Sequence, residues 1–204
     1  VQISTNGQFI TNYTIHQSST DTGTYKQHME TFKEMYGTYP DTVVADAGYG
    51  SEENYVYAKE KGMETFIKYN YFHKEQSKNW KNDPFLSSNF HYNLQKNCFY
   101  CPMGQTMRHI GDRKQKTTSG FEQTTSRYQA QNCQGCPLRG SCHQSVGNRI
   151  IEVNHNLKKL RDREREKLMS EEGLRHRSQR PQDVEATFGN LKSNKGFKRF
   201  HLRG

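Results

Sequence analysis

The sequence predicts an α/β fold interrupted by a polar, cysteine-bearing excursion. Over the first 69 residues, short runs rich in β-branched residues alternate with helical segments, and turn signals separate them. From Asn70 to about Gly147 that periodicity dissolves, and all five cysteines fall there. We therefore expect residues 1–69 and 148–204 to be two parts of one core, with residues 70–147 inserted between them.

The first part reads as a β-hairpin, then helix, strand, helix, strand. Val1–Ser4 and Gln8–His16 are the hairpin strands, with Thr5-Asn6-Gly7 as the turn, since Asn-Gly is a strong hairpin signal. Asp21-Thr-Gly-Thr is turn-like and suited to capping a helix from about Tyr25 to Tyr36, which Gly37 ends. Thr42–Ala45 is a short apolar run bounded by turn signals, which fits a buried strand ending on Asp46. Ser51 is placed to cap a helix to about Lys61, with Glu52 and Glu53 at its positive end. Gly62 stops that helix, and Met63–Tyr69 is the next strand.

Beyond the excursion, Arg149–Val153 returns as a strand. Asn156–Ser170 is charge-dense and helical in propensity, with Leu157, Leu160 and Leu168 as a sparse apolar stripe. In the last segment Pro181 suits the first turn of a helix, where its missing N–H costs nothing. Val184, Phe188 and Leu191 follow at spacings that share one face.

The charge is unevenly spread. The net of +9 is made of −4 over residues 1–69, +6 over 70–147, +1 over 148–173 and +6 over 174–204. An acidic first part with basic regions after it fits a metal-holding core flanked by polyanion-binding surface. No apolar run reaches the length of a membrane helix, and no secretory signal is present. The chain starts at Val1 in strand-like sequence, so we expect a fragment of a longer protein.

Four of the cysteines form two C-x-x-C pairs, Cys98 with Cys101 and Cys133 with Cys136. Each pair is able to present two thiolates to one tetrahedral Zn²⁺, and the neighbouring Gly and Pro residues favour the tight turns such pairs need. Cys142 and His143 are substitute or supporting ligands. Two reduced pairs with a redox role, or none, are the competing reading. The odd count argues for metal binding in a reducing compartment over a disulfide framework.

Two carboxylates stand out by position: Asp46 at the carboxyl end of a central strand, and Glu185 on a late, strongly basic helix. Carboxylates on a strand-and-helix scaffold hold divalent ions that serve phosphoryl displacement, and Mg²⁺ suits oxygen ligands of this kind. The basic surround fits a polyanionic substrate.

Three stretches together resemble the DDE transposases of bacterial insertion sequences, in the group with a cysteine-bearing insertion before the final Glu. They are VVADAGYGSEENY (Val43–Tyr55), the cysteine-bearing excursion, and RPQDVEATFGNLKSNKGFKRFHLRG (Arg180–Gly204). The resemblance implies a ribonuclease-H-like mixed sheet with flanking helices, interrupted by a zinc-ribbon-like insertion. It implies an enzyme that cuts and joins DNA ends with Mg²⁺ or Mn²⁺. By position Asp46 matches the family's second catalytic Asp and Glu185 its final Glu. Lys192 matches a basic residue that contacts DNA phosphate, and Arg180, Lys195, Lys198 and Arg199 are further candidate DNA contacts. The zinc-like insertion maps to Cys98, Cys101, Cys133, Cys136 and Cys142. The family's first catalytic Asp belongs on a strand upstream of Val1 and has no equivalent here, because Asp21 falls after the hairpin. The chain alone is accordingly expected to be inactive. The resemblance further implies DNA as partner, a homo-oligomeric active assembly and a bacterial cytoplasmic location. Two other readings share these residues: a zinc-ribbon nucleic-acid-binding protein without catalysis, and a ribonuclease-H-like nuclease.

Overall fold

The computed structural model describes residues 1–18 and 20–196. The candidate DNA contacts Lys198 and Arg199 lie outside the described residues. The chain is mixed α/β and divides into two compact units, one of residues 1–70 with the chain from Leu160 onward, the other of Tyr71–Lys159.

In the first unit, β1 (Gln2–Asn6) and β2 (Phe9–Thr14) form an antiparallel hairpin. The expected Asn-Gly turn sits one residue later than its sequence signal. A bulge between Ser4 and Thr5 shifts the register, so Asn6 pairs with Phe9 and the loop is Gly7-Gln8, both left-handed at φ 55° and 70°. Helix α1 (Tyr25–Tyr36) packs on β2 and ends where expected, at Gly37 with φ 78° and its N–H on Lys33 O at 2.7 Å. The Asp21 side chain does not cap it.

Helix α1 meets the hairpin through a polar seam. Buried His28 exchanges hydrogen bonds with Ser4 Oγ at 2.6 Å and Thr14 Oγ1 at 2.8 Å, and its carbonyl accepts from Asn12 Nδ2 at 2.8 Å. Burial first, and nearby His16 second, push the His28 pKa down to about 4, so the ring is neutral at physiological pH.

Strands β3 (Thr42–Ala45) and β4 (Glu64–Ile67) pair in parallel, Thr42 opposite Glu64 through Ala45 opposite Ile67. Helix α2 (Glu52–Glu60) connects them, capped by Ser51 Oγ accepting from Asn54 N at 3.2 Å. Helix α3 (Lys78–Asn82) is a short piece of the second unit.

That second unit is built on a five-stranded antiparallel sheet. Its order is β5 (Tyr92–Asn93), β6 (Cys98–Tyr100), β7 (Thr106–Lys116), β8 (Glu122–Ala130) and β9 (Ile150–Val153). Phe90, Phe99, Met107, Tyr128 and Ile151 form its core with Ala130 and Cys133. A short helix, α4 (Arg139–Cys142), follows β8. The β7–β8 hairpin is almost entirely polar, which is why no period marks it in the sequence.

Helix α5 (His155–Met169) runs out of the second unit into the first, where buried Glu164 accepts from Thr65 Oγ1 at 2.7 Å and Ile67 N at 3.2 Å. Helix α6 (Glu171–Arg180) packs against β3. Pro181 does not start a helix as expected. The helical path continues from α6 through it as wide i→i+5 turns over Pro181–Glu185, then α7 (Ala186–Gly189), then further wide turns over Asn190–Asn194. A proline inside a helix removes one N–H and crowds the preceding turn, and widening accommodates both.

Candidate active site

Strand β3 ends at Ala45, and Asp46 continues it in extended backbone before the chain turns through Ala47-Gly48-Tyr49. The turn is pressed onto the end of β4. A Cβ on Gly50 would stand 2.4 Å from Lys68 O and 2.8 Å from Tyr69 Cα, so only glycine fits. Asn54, one turn into α2, fixes it from the other side by donating to Tyr49 O and Thr22 O, both at 3.0 Å. Thr22 Oγ1 in turn donates to Gly48 O at 2.8 Å. The Asp21–Thr24 turn is thereby docked on the Asp46 turn.

The Asp46 side chain is 55% exposed and faces two cations: Arg180 Nη2 lies 3.2 Å from Oδ2, and Lys68 Nζ 3.9 Å from Oδ1. Lys68 follows β4 directly, and Arg180 ends α6. Nearby, Gln2 Nε2 donates to Asp21 Oδ1 at 2.7 Å, and the Tyr49 hydroxyl donates to Gln2 Oε1. Burial chiefly, then Asp21, push the Tyr49 phenol up to about 12, with Arg180 opposing and Asp46 adding. The surface around the Asp46 turn therefore holds two carboxylates, a guanidinium, an ammonium and a protonated phenol.

Glu185 is exposed on the Pro181–Glu185 turn, which packs against β1. Its helical path is tied to the hairpin again by Thr187 Oγ1 donating to Gln8 O at 3.2 Å. Arg180 precedes Glu185 by five positions on one continuous helical path. The helix bearing Glu185 is thus tethered to Asp46 through Arg180. Val184, Phe188 and Leu191 are half-buried. Lys192 and Lys195 are exposed, and Lys192 Nζ lies 5.5 Å from the Phe188 ring centre.

Among the described residues, no group of three or more His, Cys, Asp or Glu side chains is placed so that it could hold a metal ion. The cysteines divide: Cys101, Cys133, Cys136 and Cys142 line one cavity of the second unit, whereas Cys98 is buried on β6 and does not. All five are free thiols.

Sequence reasoning passed over Asp21 and Lys68. Asp21-Thr-Gly-Thr announces a turn, yet nothing in it says where the turn docks. Asn54 was the available signal, since a buried amide at that point in a helix needs acceptors outside it.

A family model described as Transposase DDE domain matches residues 100–204, just over half of the chain. The matched stretch contains Arg180, Glu185 and Lys192, and Asp46 precedes it. No curated protein and no solved structure matches the chain.

Proposed function

The chain belongs to the transposase DDE domain family, and from that membership we propose that it is catalytic-domain sequence of a DNA transposase, of ribonuclease-H-like architecture, that cuts and joins transposon DNA ends. The observation that carries this reading is the ion pair from Arg180 to Asp46, which ties the strand-end carboxylate to the helix bearing Glu185.

The donors fit a hard divalent ion: two carboxylates, both solvent-accessible. Asp46 and Glu185 would hold Mg²⁺ or Mn²⁺, which when bound supplies the Lewis-acid chemistry of phosphoryl transfer. The chain's own residues do the rest. Arg180 and Lys68 offset the Asp46 charge, and their cationic groups are the ones an incoming phosphate meets first at this edge. Lys192, two helical turns past Glu185, offers an exposed ammonium to the DNA backbone, and Lys195 extends that face; these contacts position a duplex without reading its sequence. Asp46 and Glu185 are two of the three carboxylates that the family resemblance implies. The cysteine-bearing unit is read as stabilised by zinc.

The test is Mn²⁺ binding by the chain, followed by paramagnetic resonance of the free ion. The wild-type chain should bind Mn²⁺, and Glu185→Gln should weaken binding at least about tenfold with its circular dichroism unchanged. Equal binding by the two proteins would remove Glu185 from the site and with it the reading.

A further inference from the structure

The second unit holds a cavity of about 20 Å³, room for one small ion or one water. Its walls include four thiols, those of Cys101, Cys133, Cys136 and Cys142, together with the His143 ring. Three separate stretches bring them there. Cys101 opens a tight turn in which Gly104 N donates to Cys101 O at 2.8 Å, with Gly104 at φ 77°. Cys133 and Cys136 flank a second turn whose Gly135 has φ 68°, and Arg139 N closes it on Cys136 O at 3.1 Å. Cys142 ends α4, its N–H on Leu138 O at 2.9 Å.

Arg149 donates its backbone N–H to Cys133 Sγ at 3.4 Å and its Nη1 to Cys142 Sγ at 2.8 Å. The Arg149 guanidinium thus sets positive charge beside the cavity, where a metal held by several thiolates would carry net negative charge. Arg139 also lines the cavity and is held in place by Cys133 O at 3.2 Å and Ser145 O at 3.0 Å. A second observation points the same way. The His143 ring bonds Ser145 Oγ through Nδ1 at 2.7 Å, while its Nε2 is buried and has no hydrogen-bond partner among the described residues. A buried orphan nitrogen at the wall of a thiol-lined cavity is a group short of its partner.

We infer that this cavity is a structural Zn²⁺ site whose four ligands are Cys101, Cys133, Cys136 and Cys142, with Cys98 excluded. The inference narrows the zinc reading given above and is independent of the carboxylate chemistry. Among the described residues these thiols are not gathered into a group that could hold a metal ion, so the site requires the sulfurs to move. A cysteine Sγ moves by about 3 Å between staggered χ1 positions, and rotation of this kind is what would bring the four sulfurs onto one ion. Four thiolates and Zn²⁺ carry two net negative charges, which the Arg139 and Arg149 guanidiniums offset. His143 Nε2–H then gains a thiolate sulfur as acceptor and acts as a positioning group outside the ligand set. Each thiol releases its proton to solvent as the metal binds. The ion pins the Cys101 turn after β6 to the segment between β8 and β9, across a sheet whose apolar core is small.

The test uses the 204-residue chain expressed with zinc available. Metal analysis should find about one equivalent of zinc, and Co²⁺ exchanged into the site should give the absorption of a tetrahedral four-sulfur centre. Cys98→Ser should keep the full metal content, Cys101→Ser and Cys142→Ser should lose most of it, and His143→Ala should keep the stoichiometry with binding about tenfold weaker. Less than about half an equivalent in the wild-type chain would overturn the site. A three-sulfur, one-nitrogen cobalt spectrum, or a loss in Cys98→Ser equal to that in Cys101→Ser, would overturn the ligand set. The wild-type metal content and cobalt spectrum decide the matter even if a variant fails to fold. A zinc-free result leaves the Mn²⁺ test of Glu185 untouched.

Discussion

Two carboxylates of the first unit stand beside the same parallel strand pair, and their surroundings are opposite. Glu164 is 5% exposed, and its oxygens accept from the Thr65 hydroxyl, the Ile67 N–H and Lys167 Nζ. It satisfies the outward N–H of β4 that would otherwise be left open on that edge, and so latches α5 to the sheet. Asp46 is half exposed, and among the described residues it meets two side-chain cations, one on each oxygen. A buried carboxylate with several fixed donors is part of the framework. An exposed carboxylate held by cations on flexible stems is free to exchange them for another cation or to share them with a phosphate. The difference separates a structural acid from a poised one without reference to any family.

The largest expected effect lies in the turn that positions Asp46. In Gly50→Ala the new Cβ meets backbone atoms of Lys68 and Tyr69, which have no rotamer to escape into. Unfolding in urea should show a loss of about 3 kcal/mol. A variant as stable as the wild type would mean that the turn lifts off β4 easily, and the fixed placement of Asp46 would be lost with it. Glu164→Ala comes next, at about 2–3 kcal/mol by the same measurement, because Thr65, Ile67 and Lys167 are left facing a gap. Part of that figure is discounted because the Lys167 side chain is 31% exposed and finds water. A loss below about 1 kcal/mol would reduce Glu164 to an ordinary surface acid.

How much of this could be read from the chain depends on where hydrophobic pattern coincides with structure. Helix α1, strand β3 and the Ser51 cap fall where the residues put them, since Gly37, the apolar TVVA run and Ser51 are local signals with local causes. The alternating α/β order of the first unit follows from the same signals. The β7–β8 hairpin was invisible because strands with few buried side chains carry no alternation, and their pairing depends on a partner that local sequence does not name. Pro181 misled for a related reason. Its preference for a first helical turn is real but weak, and packing of α6 on β3 and of the next turn on β1 carries the helical path through it. At the site, Asp46 was legible from its strand end. The Arg180 partnership was not, because 134 positions of chain separate the two residues and only the fold brings them together. The cysteine spacing announced two pairs, yet the folded chain takes Cys101 without Cys98, since one strand residue of a C-x-x-C faces away once β6 pairs with β7.

Asp46→Asn is the smallest expected change in stability and the sharpest use of the comparison. The substitution removes the charge that Arg180 and Lys68 face while keeping the shape and one acceptor oxygen. Exposed ion pairs contribute at most about 1 kcal/mol, and a carboxylate this open recovers its hydration when a partner leaves. Unfolding should therefore shift by no more than about 0.5 kcal/mol, in contrast to the loss at Glu164. Mn²⁺ affinity should nevertheless fall, because an amide is a far poorer ligand than a carboxylate for a hard divalent ion. A protein destabilised as much as Glu164→Ala would make Asp46 a second latch. A protein that is stable and still binds Mn²⁺ like the wild type would leave the strand-end acid with its two cations and no further role.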